Sequence, residues 1–149
     1  MSILFINGSG EKNGNTVALA HALLAGHEYD ELDLVDYKVY DHGQHFDDDQ
    51  FDDVLAHIKA ADTLVIGSPV YWHDLSGMIR NLLDRFYGPV PEKSMTGKRV
   101  YFLFQGGAPT AEMLHRGDYT IGRFAALYGM KHVGMANNRA EAEALGKTL

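Results

Sequence analysis

The chain contains no cysteine. Disulfides, zinc-thiolate sites, iron-sulfur clusters and thiol nucleophiles are therefore excluded at the outset. Basic residues are also scarce, with 13 lysines and arginines against 20 acids and a formal net charge of -7. A nucleic-acid surface needs a basic face to displace counterions, so no nucleic-acid partner is expected and any phosphate must be bound locally. Long apolar runs are missing too. The run after Met1 ends at Asn7 with no basic segment before it, too short for a signal-peptide core or a membrane span. The expectation is a soluble, cytoplasmic chain with no membrane partner.

What is present fits one domain over residues 1–149, long enough to bury a core without metals or cross-links. Apolar runs of strand length recur at Ile3 to Ile6, Leu64 to Ile66, Val100 to Phe104 and His132 to Met135. They are nearly continuous, as in strands covered on both faces of a parallel sheet. Asp30 to Val35 alternates acid and apolar residues, the pattern of a strand at or near an exposed edge. Between these runs lie helical spacings: Val17, Ala20, Leu23, Leu24; Val54, Leu55, Ile58; and Met78, Ile79, Leu82, Leu83, Phe86. A fourth helix is expected over Ile121 to Tyr128 and a last one over Arg139 to Leu149, with stops at Gly26, Gly88-Pro89 and Gly129. The order predicts an α/β fold, a three-layer doubly wound sheet of five parallel strands. Asp47, Asp48, Asp49, Asp52 and Asp53, near His42 and His45, read as a solvated loop entering a helix in preference to a metal cluster.

In such sheets ligands bind beyond the carboxyl ends of the strands, and three loops follow strand ends here. The first, Asn7 to Thr16, places glycine, serine, asparagine and threonine where a strand turns into a helix, so backbone amides and the helix dipole can face an anion. Ser9, Asn15 and Thr16 add donors, Lys12 adds a charge, and a plain helix cap at Asn15 or Thr16 is the competing reading. The loop matches neither a dinucleotide fingerprint, because position 13 is Asn13, nor a Walker loop. The second, Gly67-Ser68-Pro69-Val70-Tyr71-Trp72, ends a strand with two adjacent aromatics that suit either a flat ring or a core or interface contact. The third, Gln105-Gly106-Gly107, allows close backbone approach to the same ring or is a simple turn. A serine hydrolase fails on its motif, since Gly-x-Ser-x-Gly is broken at Ser9 by Asn7 and is not met around Ser68-Pro69 either. A phosphoacceptor receiver fails as well, because Ile66-Gly67-Ser68 ends the third strand without an aspartate.

Asn-Gly-Ser-x-x-x-Asn-Gly-Asn-Thr at 7–16, with Ser-Pro-Val-Tyr-Trp at 68–72 and Met78-Ile79-Arg80-Asn81-Leu82-Leu83-Asp84-Arg85, resembles the NAD(P)H-dependent FMN reductases of the flavodoxin-like superfamily. The resemblance implies an FMN phosphate held by Ser9, Lys12, Asn13, Gly14, Asn15 and Thr16. It implies an isoalloxazine lined by Pro69, Val70, Tyr71 and Trp72 and completed by Gln105, Gly106 and Gly107. It also implies NADPH or NADH as co-substrate, hydride transfer to the flavin, a small acceptor such as a quinone or free flavin, and a homodimer. The alternative is an FMN-binding electron carrier or regulator without nicotinamide turnover. No catalytic side chain and no metal are called for, because the cofactor carries the chemistry. Two departures stand out. Gly10-Glu11 replaces the Pro-Arg common in relatives, leaving Lys12 as the one cation of the loop, and the bulkier His73-Asp74 stands where relatives have small residues.

Overall fold

The computed structural model describes residues 1–149. Strands β1 (Ile3–Asn7) and β3 (Thr63–Pro69) are buried at every position. Their sequences run apolar without alternation because both faces of the sheet are covered. They pair in parallel, Leu4 opposite Leu64 and Ile6 opposite Ile66, and β4 (Arg99–Gln105) pairs with β3 in the same sense. The sheet has five parallel strands in the order β2-β1-β3-β4-β5, with β2 (Asp30–Asp33) and β5 (Lys131–Ala136) at its edges. The chain steps from β1 to one side, then returns to the other. The switch point therefore lies between β1 and β3, the arrangement of doubly wound folds of the flavodoxin type.

Successive strand residues point to opposite faces, and this builds two cores. Phe5, Val65, Tyr101 and Leu103 pack with α1 (Asn15–Leu23) and α5 (Arg139–Gly146). Leu4, Ile6, Ile66, Phe102 and Phe104 pack with α2 (Phe51–Ala60), α3 (Gly77–Arg85) and α4 (Ala111–Leu127). Phe86, just past α3, joins these three helices. Its ring meets Phe51, Phe124 and Tyr128 edge-on at centroid distances of 5.9, 4.8 and 5.1 Å, contacts worth about 0.5–1.5 kcal/mol each beyond their buried area.

The acidic stretch does lead into a helix, with Asp52 and Asp53 in the first turn of α2, where carboxylates meet the positive end of the dipole. Asp49 is taken by Arg85 of α3 through two contacts of 2.5 and 3.0 Å, and Arg85 also donates to the Tyr40 carbonyl at 2.8 Å. This guanidinium pins the connection between β2 and α2 onto α3.

Three boundaries differ from the sequence expectation. The edge strand stops at Asp33, because Leu34 turns inward in a short 3-10 segment, Leu34–Asp36, and is buried while Val35 stays exposed. Helix α4 starts at Ala111, ten positions before Ile121, capped by Thr110, whose hydroxyl accepts from the Met113 amide at 3.2 Å. Its first half is mostly exposed and contains Gly117, so apolar periodicity is faint there. Gly117 is required by packing, since a Cβ would lie 2.6 Å from Cδ2 of Phe104. Helix α5 ends at Gly146, short of Leu149.

Candidate functional site

The strand ends at the switch point are joined by side chains more than by backbone. Asn7, fully buried at the end of β1, donates to Asp33 Oδ1 at 2.8 Å and to the Glu11 carbonyl at 3.4 Å, and it accepts from the Ser9 amide at 3.1 Å. Ser9 Oγ in turn accepts from the Glu11 amide at 3.1 Å. The loop is thereby folded back on β1. At Gly8 a Cβ would meet the Gly67 carbonyl at 2.7 Å and Ile79 Cδ1 at 2.6 Å, so glycine is the residue that lets β1, β3 and α3 converge.

Ser76 links this loop to the next. Its hydroxyl donates to the Gly8 carbonyl at 2.7 Å and accepts from the Ile79 amide at 3.3 Å as the cap of α3, while its amide donates to Ser68 Oγ at 2.9 Å. Ser68 Oγ donates to the Pro69 carbonyl at 2.8 Å. The third loop is tied in by Val70, whose amide donates to the Gln105 carbonyl at 2.7 Å, and by Gln105 Nε2, which donates to Thr16 Oγ1 at 3.3 Å.

These bonds frame a hollow of about 330 Å³ lined by Ser9, Glu11, Gly14 and Asn15 of the first loop, Pro69, Val70 and Tyr71 of the second, and Gln105, Gly106 and Gly107 of the third. Nine of the expected residues thus meet at one place: Ser9, Gly14, Asn15, Pro69, Val70, Tyr71, Gln105, Gly106 and Gly107. Larger hollows of about 620 and 670 Å³ lie elsewhere, around Met1 to Asp30 and around Lys59 to Lys98. Neither touches the loops at the carboxyl ends of the strands, where ligands of such sheets bind.

Lys12, Asn13, Thr16 and Trp72 do not line the hollow. Lys12 pairs with Asp36, and the carboxylate holds the ammonium's pKa above its ordinary value. Asn13 is exposed and Thr16 is buried beneath Gln105. Trp72 is 95% exposed at the tip of a two-residue turn. Tyr71 and Asp74 exchange both backbone bonds at 3.0 and 3.1 Å, and Trp72 and His73 between them take φ of 48° and 66°. Neither residue is the glycine or asparagine that such a turn favours.

The cap reading of the first loop is corrected by the geometry. Helix α1 starts at Asn15 with Gly14 at the cap position, and no side chain caps it. Gly14 and Asn15 at its start line the hollow, and a first turn without a side-chain cap leaves backbone amides for an anion. Gly106 sits so close to Val70 that a Cβ would lie 3.1 Å from Val70 Cβ, so the third loop meets the second through bare backbone there. An uncapped helix end and two further loops around one hollow suit a ligand that joins a phosphate to a ring. One feature opposes the phosphate: the acidic residue Glu11 is among the lining residues and no lysine or arginine is.

Asn7 and Ser76 stand within the sequence motifs, but sequence reasoning assigned neither a role in the site. A polar residue closing an apolar strand and a serine directly before a helix were the available signals.

Fold and site together define a flavodoxin-like α/β protein. A sequence model of NADPH-dependent FMN reductases matches residues 1–134, and the chain belongs to this family. FMN with a reduced nicotinamide co-substrate, expected from the motifs, is what that family uses. Among curated proteins, the chain is 33% identical over 98 residues to an iron-sulfur flavoprotein of Archaeoglobus fulgidus, covering 57% of this chain and 48% of the relative. The chain thus spans about half the length of that relative. Lacking cysteine, it has no thiolate for an iron-sulfur cluster. It is 26% identical over 126 residues to YwqN of Bacillus subtilis, described as an NAD(P)H-dependent FMN-containing oxidoreductase, covering 72% of this chain and 67% of that one. Among solved structures, the Trp repressor binding protein from Bacillus subtilis superposes with a TM-score of 0.79 at 21% identity, covering 99% of both chains. No helix is long and apolar enough to cross a membrane.

Proposed function

We propose that this chain is an FMN-dependent oxidoreductase that takes electrons from NADPH or NADH and passes them to a small acceptor such as a quinone or free flavin. The observation that carries this reading is the meeting of an uncapped α1 with the Pro69 to Tyr71 and Gln105 to Gly107 loops around one hollow. When bound, FMN supplies the redox chemistry.

The chain's own residues bind and orient. The amides of α1 and the Ser9 and Asn15 side chains receive the phosphate, with the helix dipole in place of a cation. Asn7, Ser9 and Ser76 hold the loops before the ligand arrives, so little ordering cost remains to be met on binding. Pro69, Val70 and Tyr71 form one wall of the ring site, and Gly106 and Gly107 form the other, where main chain can approach the ring closely. Trp72 stands outside this hollow and belongs to its open rim.

The test has two stages. FMN titrated into the protein quenches the fluorescence of Trp72, the sole tryptophan, with saturation near one equivalent. The loaded protein then oxidises NADPH or NADH when a quinone or free flavin is supplied. Saturable FMN binding without nicotinamide oxidation would make the chain an electron carrier or regulator.

A further inference from the structure

Two asparagines of the first loop are each followed by glycine, Asn7-Gly8 and Asn13-Gly14, and the fold treats them in opposite ways. In that dipeptide the next main-chain nitrogen can attack the side-chain amide carbon, and a glycine there has no Cβ to hinder the approach. Asn7 is fully buried, its Nδ2 donates to Asp33 Oδ1 at 2.8 Å, and the Gly8 amide donates to the Gly67 carbonyl at 2.8 Å. Both reacting groups are engaged. Asn13 is exposed in a turn, its side chain makes no hydrogen bond, and the Gly14 amide donates none. Both reacting groups are free.

We propose that Asn13 deamidates spontaneously in the ligand-free protein, that the new carboxylate weakens FMN binding, and that bound FMN suppresses the reaction. The second and third parts rest on the reading of the three-loop hollow as the flavin site.

The chemistry needs only water. The Gly14 nitrogen bonds to Asn13 Cγ, and Nδ2 leaves as ammonia, carrying away the proton that the Gly14 nitrogen loses. Water then opens the resulting succinimide ring at one of its two carbonyl carbons. Opening at Cγ leaves aspartate at position 13. Opening at the main-chain carbonyl leaves isoaspartate, in which the backbone runs through Cγ and is one methylene longer. Nothing is oxidised or reduced.

Position decides the consequence. Asn13 stands directly before Gly14, the cap position of α1, and Gly14 and Asn15 line the hollow together with Glu11. Lys12 is held by Asp36, so the loop has no unpaired cation to offset another carboxylate. A carboxylate ahead of α1 meets the positive end of the helix dipole, and so takes over part of the electrostatic role that a phosphate would fill. Isoaspartate also shifts Gly14 and Asn15 along the chain. Glycine at 14 is itself tied to the packing of the loop, since a Cβ there would lie 3.0 Å from Glu11 Cβ. A copy that waits without cofactor ages, and a loaded copy is spared.

Peptide mass mapping of the ligand-free protein, held at mildly alkaline pH and sampled over days, tests the modification. Cleavage after Lys12 places the two asparagines on separate peptides, and fragmentation separates Asn13 from Asn15. The expected result is a gain of one mass unit at Asn13 and none at Asn7 in the folded protein, with gain at both in urea. FMN in large excess over its Kd slows the gain at Asn13 about tenfold or more, because only the ligand-free fraction reacts. Asn13→Asp, which carries the product charge from the start, weakens FMN several-fold at low ionic strength and less at high salt. The parent loses FMN affinity during the incubation, whereas Asn13→Gln, whose longer side chain closes its ring more slowly, shows no decline. Asn13 left intact in the folded protein while it converts in urea overturns the proposal, as does conversion of Asn7 as fast as Asn13. Conversion that leaves FMN affinity unchanged, or runs as fast with FMN bound, overturns the coupling to the cofactor. If fresh, unconverted protein binds no FMN, the flavin reading fails, and the mass gain at Asn13 still decides the modification.

Discussion

The turn after Tyr71 is built from residues that oppose it, and replacing them should make the protein more stable. Trp72 and His73 hold φ of 48° and 66°, a conformation that costs a side-chain-bearing residue about 1–2 kcal/mol and that asparagine and glycine adopt more readily. The 95% exposure of Trp72 means its removal sacrifices little burial. The bonds that shape the turn are backbone bonds between Tyr71 and Asp74, and the contact from Arg116 goes to the His73 carbonyl, so both survive substitution. Replacing Trp72 by asparagine relieves about 1 kcal/mol of strain, and replacing His73 by glycine gains about 0.5–1 kcal/mol after the extra unfolded-state entropy of about 0.5–1 kcal/mol is subtracted. The Trp72→Asn, His73→Gly double variant should therefore be more stable by about 1.5 kcal/mol, raising Tm by about 3–6 °C for a chain of this size. Scanning calorimetry of the ligand-free protein measures this directly. A Tm that is unchanged or lower refutes the reasoning, because it means that the side chains of Trp72 or His73 stabilise the turn by at least what their backbones cost. Under the proposed function the same variant binds FMN more weakly. Strain is retained where a side chain is needed for something other than stability.

Other perturbations act on the frame of the site. Asp49 is held at a pKa of about 2 chiefly by Arg85, against an ordinary 3.8. A carboxyl with a depressed native pKa adds stability above its unfolded pKa, here about 2 kcal/mol, and loses it as pH falls from about 4 to about 2. Asp49→Asn should lower Tm by about 4–8 °C at neutral pH, and the gap to the parent should close between pH 4 and 2. A gap constant over that range would show that the ion pair contributes nothing. Ser76→Ala removes the α3 cap and leaves the Gly8 carbonyl without its donor, costing about 2–3 kcal/mol in urea unfolding. A loss below 0.5 kcal/mol, well under that about 2–3 kcal/mol estimate, would mean water replaces the hydroxyl. Glu11→Gln removes the one carboxylate on the wall of the hollow and should tighten FMN several-fold at low ionic strength, less at high salt. Affinity insensitive to this change would place the phosphate away from Glu11.

The sheet was readable because β1, β3 and β4 are covered on both faces, so burial writes itself into continuous apolar runs such as Ile3 to Ile6 and Val100 to Phe104. The three loops were readable because strand ends in this architecture are where ligands bind. The start of α4 was not, since its first turns are half solvated and Gly117 answers to Phe104, a partner on β4 that local spacing cannot reveal. Residue types in the loops gave the expectation of a phosphate and a ring, but not which side chains the protein itself would engage. Lys12 is drawn to Asp36 and Thr16 to Gln105 by partners at sequence distances of 24 and 89.

Ser76 gives the site a fixed ruler. One residue bonds the Gly8 carbonyl of the first loop and Ser68 of the second, so the two loops, the proposed seat for an anion and wall for a ring, cannot move apart independently. The separation between them is set by bond lengths inside the protein and not by what arrives. A ligand is consequently measured along its length before its chemistry matters: one whose anion and ring are closer or farther apart can occupy either end of the hollow, but not both.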